Sequence, residues 1–239
     1  MAKKKKTARR AAKSTKKKKC APRRRRPRRD LAISRPHLQR RDTTEAPVSG
    51  SEPTVPHGLV REWTRTSSEP ADDYRIFKMR RDVSIHPRTG ATHKFVVMEG
   101  VDWVNVIPIT AEGNVVFIEQ YRHGIRQRTL EIPGGMVDTG ETPAQAASRE
   151  LLEETGYAGA KAVELGWIHP NPAIQENRCW SYLVRPTKKI GPAQTEGSED
   201  IATIEVPLAD VPRLIAARRI THALVVVAFQ WLWLREGRS

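Results

Sequence analysis

The chain has 239 residues, with 42 Lys and Arg against 27 Asp and Glu, a formal net charge of +15 and two cysteines. That length allows one or two domains, and two cysteines are too few for a disulfide framework or a zinc site. No apolar run reaches the roughly 20 residues that a bilayer needs, and the N-terminus lacks the apolar core of a secretory signal, so a cytoplasmic protein with no membrane partner is expected.

The charge is unevenly spread. Residues 1–41 hold 20 of the basic residues and a single acid, Asp30, which leaves 22 basic against 26 acidic residues elsewhere. Runs such as Lys3 to Lys6, Lys16 to Lys19 and Arg23 to Arg26 bury nothing and repel one another, so a disordered basic tail is expected. Residues 42–60 gather Pro, Ser and Thr and read as a linker. Residues 61–100 read as a small N-terminal β segment, in which Tyr74 to Ser84 and His93 to Met98 flank the turn signal Pro87-Arg88-Thr89-Gly90. Residues 101–239 form the main domain. Trp103 to Ile109 and Val115 to Gln120 are β-rich runs around Ala111-Glu112-Gly113-Asn114, a hairpin signal.

A helix is expected from Pro143 to about Thr155. Thr142 is a good N-cap, Pro143 suits the first helical position, Gln145 can close a capping box, and Gly156 supplies the left-handed residue that commonly ends a helix. Strands at Ala162 to Trp167, Cys179 to Val184 and Ile201 to Val206 follow. A short helix at Leu208 to Arg218 and a final buried one from about His222, with Thr221 as candidate cap, complete the series. Cys20 and Cys179 are expected as free thiols, Cys179 as a small core residue.

On the helix after Thr142, Glu150, Glu153 and Glu154 lie three and four residues apart and so share one face. At ~4 Å each pair of carboxylates costs about 1 kcal/mol in water and roughly 4 kcal/mol at an effective dielectric near 20. A helix that keeps all three is therefore expected to hold cations, with Arg149 offsetting part of the charge. Hard carboxylate oxygens favour Mg²⁺ or Mn²⁺. A plain solvated acidic face is the bland alternative, and it leaves unexplained the company of Ile132-Pro133-Gly134-Gly135 and Glu141.

The whole run, Gly135-x5-Glu141-x7-Arg149-Glu150-Leu151-x-Glu153-Glu154-x-Gly156-Tyr157, resembles the signature of the Nudix hydrolases. That resemblance implies an α/β fold, an α/β/α sandwich with a mixed sheet, and divalent-metal-dependent hydrolysis of a nucleoside diphosphate linked to another group. By position it makes Glu150 and Glu154 metal ligands, with Glu153 assisting, Gly134 offering its carbonyl, Arg149 orienting the glutamates and Glu141 supporting the loop. A cation held there neutralises pyrophosphate oxygens and lowers the pKa of an attacking water.

Val104 to Ile109, Gln120-Tyr121-Arg122, Leu130-Glu131-Ile132-Pro133 and Ile220-Thr221-His222-Ala223-Leu224 resemble the ADP-ribose pyrophosphatase branch. Pro172 lies fifteen residues beyond Tyr157, where that branch carries a marker proline. The implied products are a nucleoside monophosphate and a sugar phosphate. Arg122 is expected to grip phosphate and Glu131 to bond substrate or hold the glycine loop. Trp167 and Tyr121 are candidates either to stack on adenine or to pack in the core. The branch places helper acids ahead of a late strand, which here implicates Glu199 as metal ligand or base, and Glu196 beside it.

Relatives of this branch are commonly homodimers through their N-terminal strands, so a dimer is expected through residues 61–100. The tail suits non-specific contact with nucleic acid, because no aromatic residue interleaves it to stack bases. The competing reading is a nucleic-acid-associated nucleotide-binding protein with a non-catalytic Nudix fold. An intact set of box glutamates favours the enzyme.

Overall fold

A computed structural model describes residues 60–237 except Arg75 and residues 196–199. The tail, nearly all of the linker, Cys20, Glu196 and Glu199 therefore lie outside the described residues.

Three strands, β1 (Thr64–Tyr74), β2 (Phe77–Ile85) and β3 (Thr92–Glu99), form an antiparallel sheet in that order. The β2–β3 hairpin turns at the expected Pro87 to Gly90, where Gly90 takes a φ of 72° and donates its N–H to the His86 carbonyl. β1 falls inside the expected β segment, although no separate strand was expected ahead of Tyr74. Its sequence is polar and carries Pro70, and almost all of it is exposed.

The larger sheet is built from β4 (Trp103–Thr110), β5 (Asn114–Arg122), β6 (Gln127–Glu131), β7 (Gly134–Met136), β8 (Tyr157–Gly159), β9 (Val163–Ile168), β10 (Cys179–Lys189) and β11 (Ile201–Pro207). Its main path runs β11-β5-β4-β10-β8, with β6 on β5, β7 on β4 and β9 on β10. It is mixed: β10 runs parallel to β4, whereas β5, β7, β9 and β11 pair antiparallel.

β4 and β5 pair only at Ile109 and Val115 before they part. Each then takes a partner from one short segment: β6 lines β5 from Ile118 to Arg122, and β7 lines Trp103 to Asn105 of β4. The glycine loop thus sits where the sheet splits.

Alternation along the strands sends side chains to two cores. Val104, Val106 and Val116 pack with Trp180 and Tyr182 beneath Ala146, Ala147 and Leu151 of α1 (Pro143–Thr155). Ile107, Ile109, Val115 and Phe117 face α3 (Ala223–Arg235), whose Val225, Ala228, Phe229 and Leu232 recur at helical spacing. Phe117 and Phe229 stack at 5.7 Å between centroids. Helices on both faces of a mixed sheet make the expected α/β/α sandwich.

Leu208–Asp210 is a 3₁₀ turn leading into α2 (Val211–Ala216). The cap of α3 is His222 and not Thr221: the His222 Nδ1 accepts the Leu224 N–H at 3.2 Å. Histidine is an uncommon cap, and only its ring geometry identifies it. Cys179 is buried, and burial pushes its thiol up to about 12, as suits an inert core residue. Among the described residues no helix is long and apolar enough to cross a membrane.

Candidate active site

The helix carrying the carboxylates starts and stops on local chemistry. Thr142 accepts the Gln145 N–H at 3.3 Å, and Gln145 returns the bond to the Thr142 N–H at 2.9 Å, completing the capping box. Gly156 closes the helix with a φ of 73° and donates to the Leu152 carbonyl. A Cβ at Gly156 would strike the Gly191 carbonyl, so two demands select glycine there.

Burial of Ala146, Ala147 and Leu151 against the sheet turns the remaining face toward β7. Glu154 is 6% exposed, and its Oε2 accepts the Gly134 N–H at 2.9 Å. Glu150 lies over Gly135 so closely that a Cβ there would collide with its carboxylate. Gly134 is equally hemmed in, because its Cβ would meet the Val104 carbonyl. Gly135 is therefore a requirement of the contact between α1 and β7, and Gly134 of the contact between β7 and β4.

Arg149 organises the outer side. Its Nε donates to Glu141 at 3.1 Å, and one terminal nitrogen donates to Glu150 at 2.8 Å and Glu153 at 3.0 Å. The other donates to the Met136 carbonyl at 2.9 Å and to Glu141 at 3.0 Å. The whole guanidinium fork is used. These bonds, led by the one with Glu141, raise the Arg149 pKa above its ordinary value, and the same contact holds the Glu141 carboxyl below its own.

A second cluster sits on β5 and β6. Arg122 and Glu131 form a bidentate pair, Nε to Oε1 at 2.8 Å and Nη2 to Oε2 at 2.7 Å, and the Thr129 hydroxyl adds a bond of 2.6 Å to Oε1. The His222 Nε2 lies 3.9 Å from Glu131 Oε2. Burial alone would raise the Glu131 pKa, yet the bonds from Arg122 and Thr129 keep it below the usual carboxylate range. Arg122 thus meets Glu131 directly, a pairing that separate readings of the two residues did not bring out.

Pro172 lies in the loop between β9 and β10. Trp167 and Tyr121 are both partly exposed, so neither is a buried core residue; the Arg178 guanidinium stands 4.5 Å from the Trp167 ring centroid.

Asp102 escaped the sequence reading. Its carbonyl accepts the Val137 N–H at 2.9 Å, its Oδ1 the Arg178 N–H at 2.8 Å and its Oδ2 the Trp180 indole N–H at 3.0 Å. It joins the glycine loop to the start of β10, and a lone Asp before a strand gives no signal of that.

Among the described residues no three acidic, histidine or cysteine side chains form a ready-made metal cage. Mg²⁺ does not require one, since it is commonly held by one or two carboxylates, substrate phosphates and water. Glu150 and Glu154, fixed on adjacent residues of one strand, fit that mode.

The NUDIX domain model matches residues 102–225. The methanol dehydrogenase activator of Bacillus methanolicus is 32% identical over 164 residues, covering 68% of this chain and 88% of its own length. The ADP-ribose pyrophosphatase of Bacillus subtilis is 28% identical over 62% of this chain and 80% of its own. The ADP-sugar pyrophosphatase of Mus musculus is 35% identical over 51% and 60%. A crystal structure of an ADP compounds hydrolase superposes with a TM-score of 0.64 at 22% identity, covering 76% of this chain and all of that one. The match across the sheet, the glycine loop and α1 is a family relationship, and the chain belongs to the NUDIX domain family.

Proposed function

We propose that the protein hydrolyses the pyrophosphate bond of ADP-ribose or a related nucleoside diphosphate sugar, giving a nucleoside monophosphate and a sugar phosphate. The observation that carries this reading is the fixing of Glu150 and Glu154 on Gly135 and Gly134. The names of the Bacillus subtilis and Mus musculus relatives supply the substrate class.

Glu150, Glu154 and the Gly134 carbonyl, with Glu153 beside them, would hold Mg²⁺ or Mn²⁺. A bound ion supplies charge neutralisation at the pyrophosphate and a more acidic attacking water. Arg149 keeps Glu150 and Glu153 from turning into solvent, and Glu141 fixes Arg149 in turn. Arg122, braced by Glu131, presents its cationic edge to phosphate, and Pro172 shapes the neighbouring loop. Glu199, then Glu196, are the proposed helper acids that take the proton from water.

Residues 61–100 are proposed as the homodimer contact and residues 1–41 as a non-specific nucleic-acid arm. Exposed Tyr74, Phe95 and Val96 on the small sheet support the first assignment, and the density of basic charge supports the second.

The test is product analysis with the full chain, Mg²⁺ or Mn²⁺, and a panel of nucleoside diphosphate sugars. Release of AMP and ribose phosphate from ADP-ribose is the expected result, and absence of turnover on every member overturns the reading.

A further inference from the structure

The segment from Ile174 to Arg178 runs beside the segment from Met98 to Asp102. The Met98 N–H donates to the Ile174 carbonyl at 2.7 Å, and Met98 bridges Gln175 in parallel. Asn177 Nδ2 reaches the Val101 carbonyl at 3.1 Å, and the Arg178 N–H reaches Asp102. Two side-chain contacts tie the same loop to the small sheet: Gln175 Nε2 donates to Met98 Sδ at 3.4 Å, and Arg80 Nη1 donates to Glu176 Oε2 at 2.5 Å as well as to Glu99 Oε1 at 2.9 Å. The Arg80 Nε holds Asp82 at 3.1 Å. The Arg80 side chain is 14% exposed, whereas Glu176 is 38% exposed.

This loop lies beside the glycine loop. Trp103 pairs with Met136 on one side and with Cys179 on the other, so the two loops flank a single strand end. On the proposed reading, a ligand whose pyrophosphate rests over Glu150 and Glu154 would extend past that strand end toward the loop bearing Pro172.

We propose that Arg80 is a positioning residue for substrate binding, acting through Glu176 to hold the loop that carries Pro172 against the ligand. The proposal rests on the nucleoside diphosphate sugar reading. It assigns the small sheet a task within each subunit, in addition to any role between subunits. One guanidinium facing Asp82, Glu99 and Glu176 is well suited to it. Loss of Glu176 leaves Arg80 paired with the other two acids, so the loop loses that one tether while its backbone contacts and the charge balance of the sheet stay.

The discriminating variant is Glu176→Ala in the full chain. The expected result is a KM for ADP-ribose raised about 3–10-fold, a kcat within about twofold of wild type, an unchanged melting temperature, and faster hydrogen exchange at residues 174–178. Arg80→Lys, which keeps a cation but not the fork, is expected to raise KM less than Arg80→Met. Active wild type with an unmoved KM and unchanged exchange in Glu176→Ala overturns the clamp alone. A wild-type protein that turns over no nucleoside diphosphate sugar overturns the activity reading and the proposal with it.

Discussion

Glu154 and Gly134 are joined across twenty residues of sequence by one hydrogen bond, from backbone amide to buried carboxylate, 2.9 Å long. That bond ties α1, already seated on the sheet by Ala146, Ala147 and Leu151, to the glycine loop. Glu154→Gln can keep the bond through its amide oxygen while removing the charge. Activity with Mg²⁺ is therefore expected to fall by at least about 100-fold, with the melting temperature within about 2 °C of wild type. AMP release and a thermal melt check both halves. Full activity in this variant excludes Glu154 as a ligand.

The two loop glycines separate in their consequences. A Cβ at Gly135 meets the Glu150 carboxylate, the far end of a flexible side chain, whereas one at Gly134 meets the Val104 carbonyl, which cannot yield without moving β4. Gly135→Ala is expected to leave a folded protein with activity down about tenfold or more. Gly134→Ala is expected to cost roughly 1–3 kcal/mol of stability. Denaturant melts beside activity assays distinguish the two. Equal destabilisation by both contradicts the argument.

The sequence made α1 legible because its signals are local: Thr142, Pro143, Gln145 and Gly156 each act within a turn of the residue they cap. β7 was not legible, since Gly134, Gly135 and Met136 have no strand preference and are a strand only because Trp103 to Asn105 pair with them. β1 was not legible as a separate strand for a related reason: its polar residues are extended because β2 pairs with them, while almost none is buried. In the site, residue types at fixed helical spacing pointed to Glu150, Glu153 and Glu154. The Arg122–Glu131 pair, the His222 cap and the bonds of Asp102 depend on register between strands and on where α3 docks, and neither is written in any short window.

Arg149 engages three carboxylates and a carbonyl from one planar fork, a pattern that three donors on a flexible stem cannot reproduce. Arg149→Lys is expected to lower kcat by about tenfold to 100-fold and to weaken Mg²⁺ activation, because Glu150 and Glu153 lose their common anchor while the charge count is unchanged. Metal titration of the activity checks this. An unshifted half-saturation and an unchanged kcat argue against the orienting role.

The Glu131 cluster predicts a stability profile with a definite sign. The Glu131 carboxyl has a folded pKa below its ordinary 4.5, through Arg122 and Thr129, so its contribution is complete above about 4.5 and is lost as pH falls through the folded value. His222 has a folded pKa below its ordinary 6.5, chiefly through burial, so the unfolded chain binds the proton more readily. Its contribution is complete above 6.5 and declines as pH drops from there toward the folded value. The melting temperature is thus expected to fall in an upper step from His222 and a lower one that Glu131 shares with Asp82 and Glu141. His222→Asn, which keeps a capping oxygen for Leu224, should remove the upper step alone. Glu131→Gln should shrink the lower step to the part carried by Asp82 and Glu141, cost roughly 1.5–3 kcal/mol at neutral pH, and lower the His222 pKa further, because the carboxylate that favours its protonated form is gone. Melting curves of the three proteins between pH 3 and 8 read all of this, and a profile for His222→Asn that still follows wild type above pH 5 would show that another group carries the upper step.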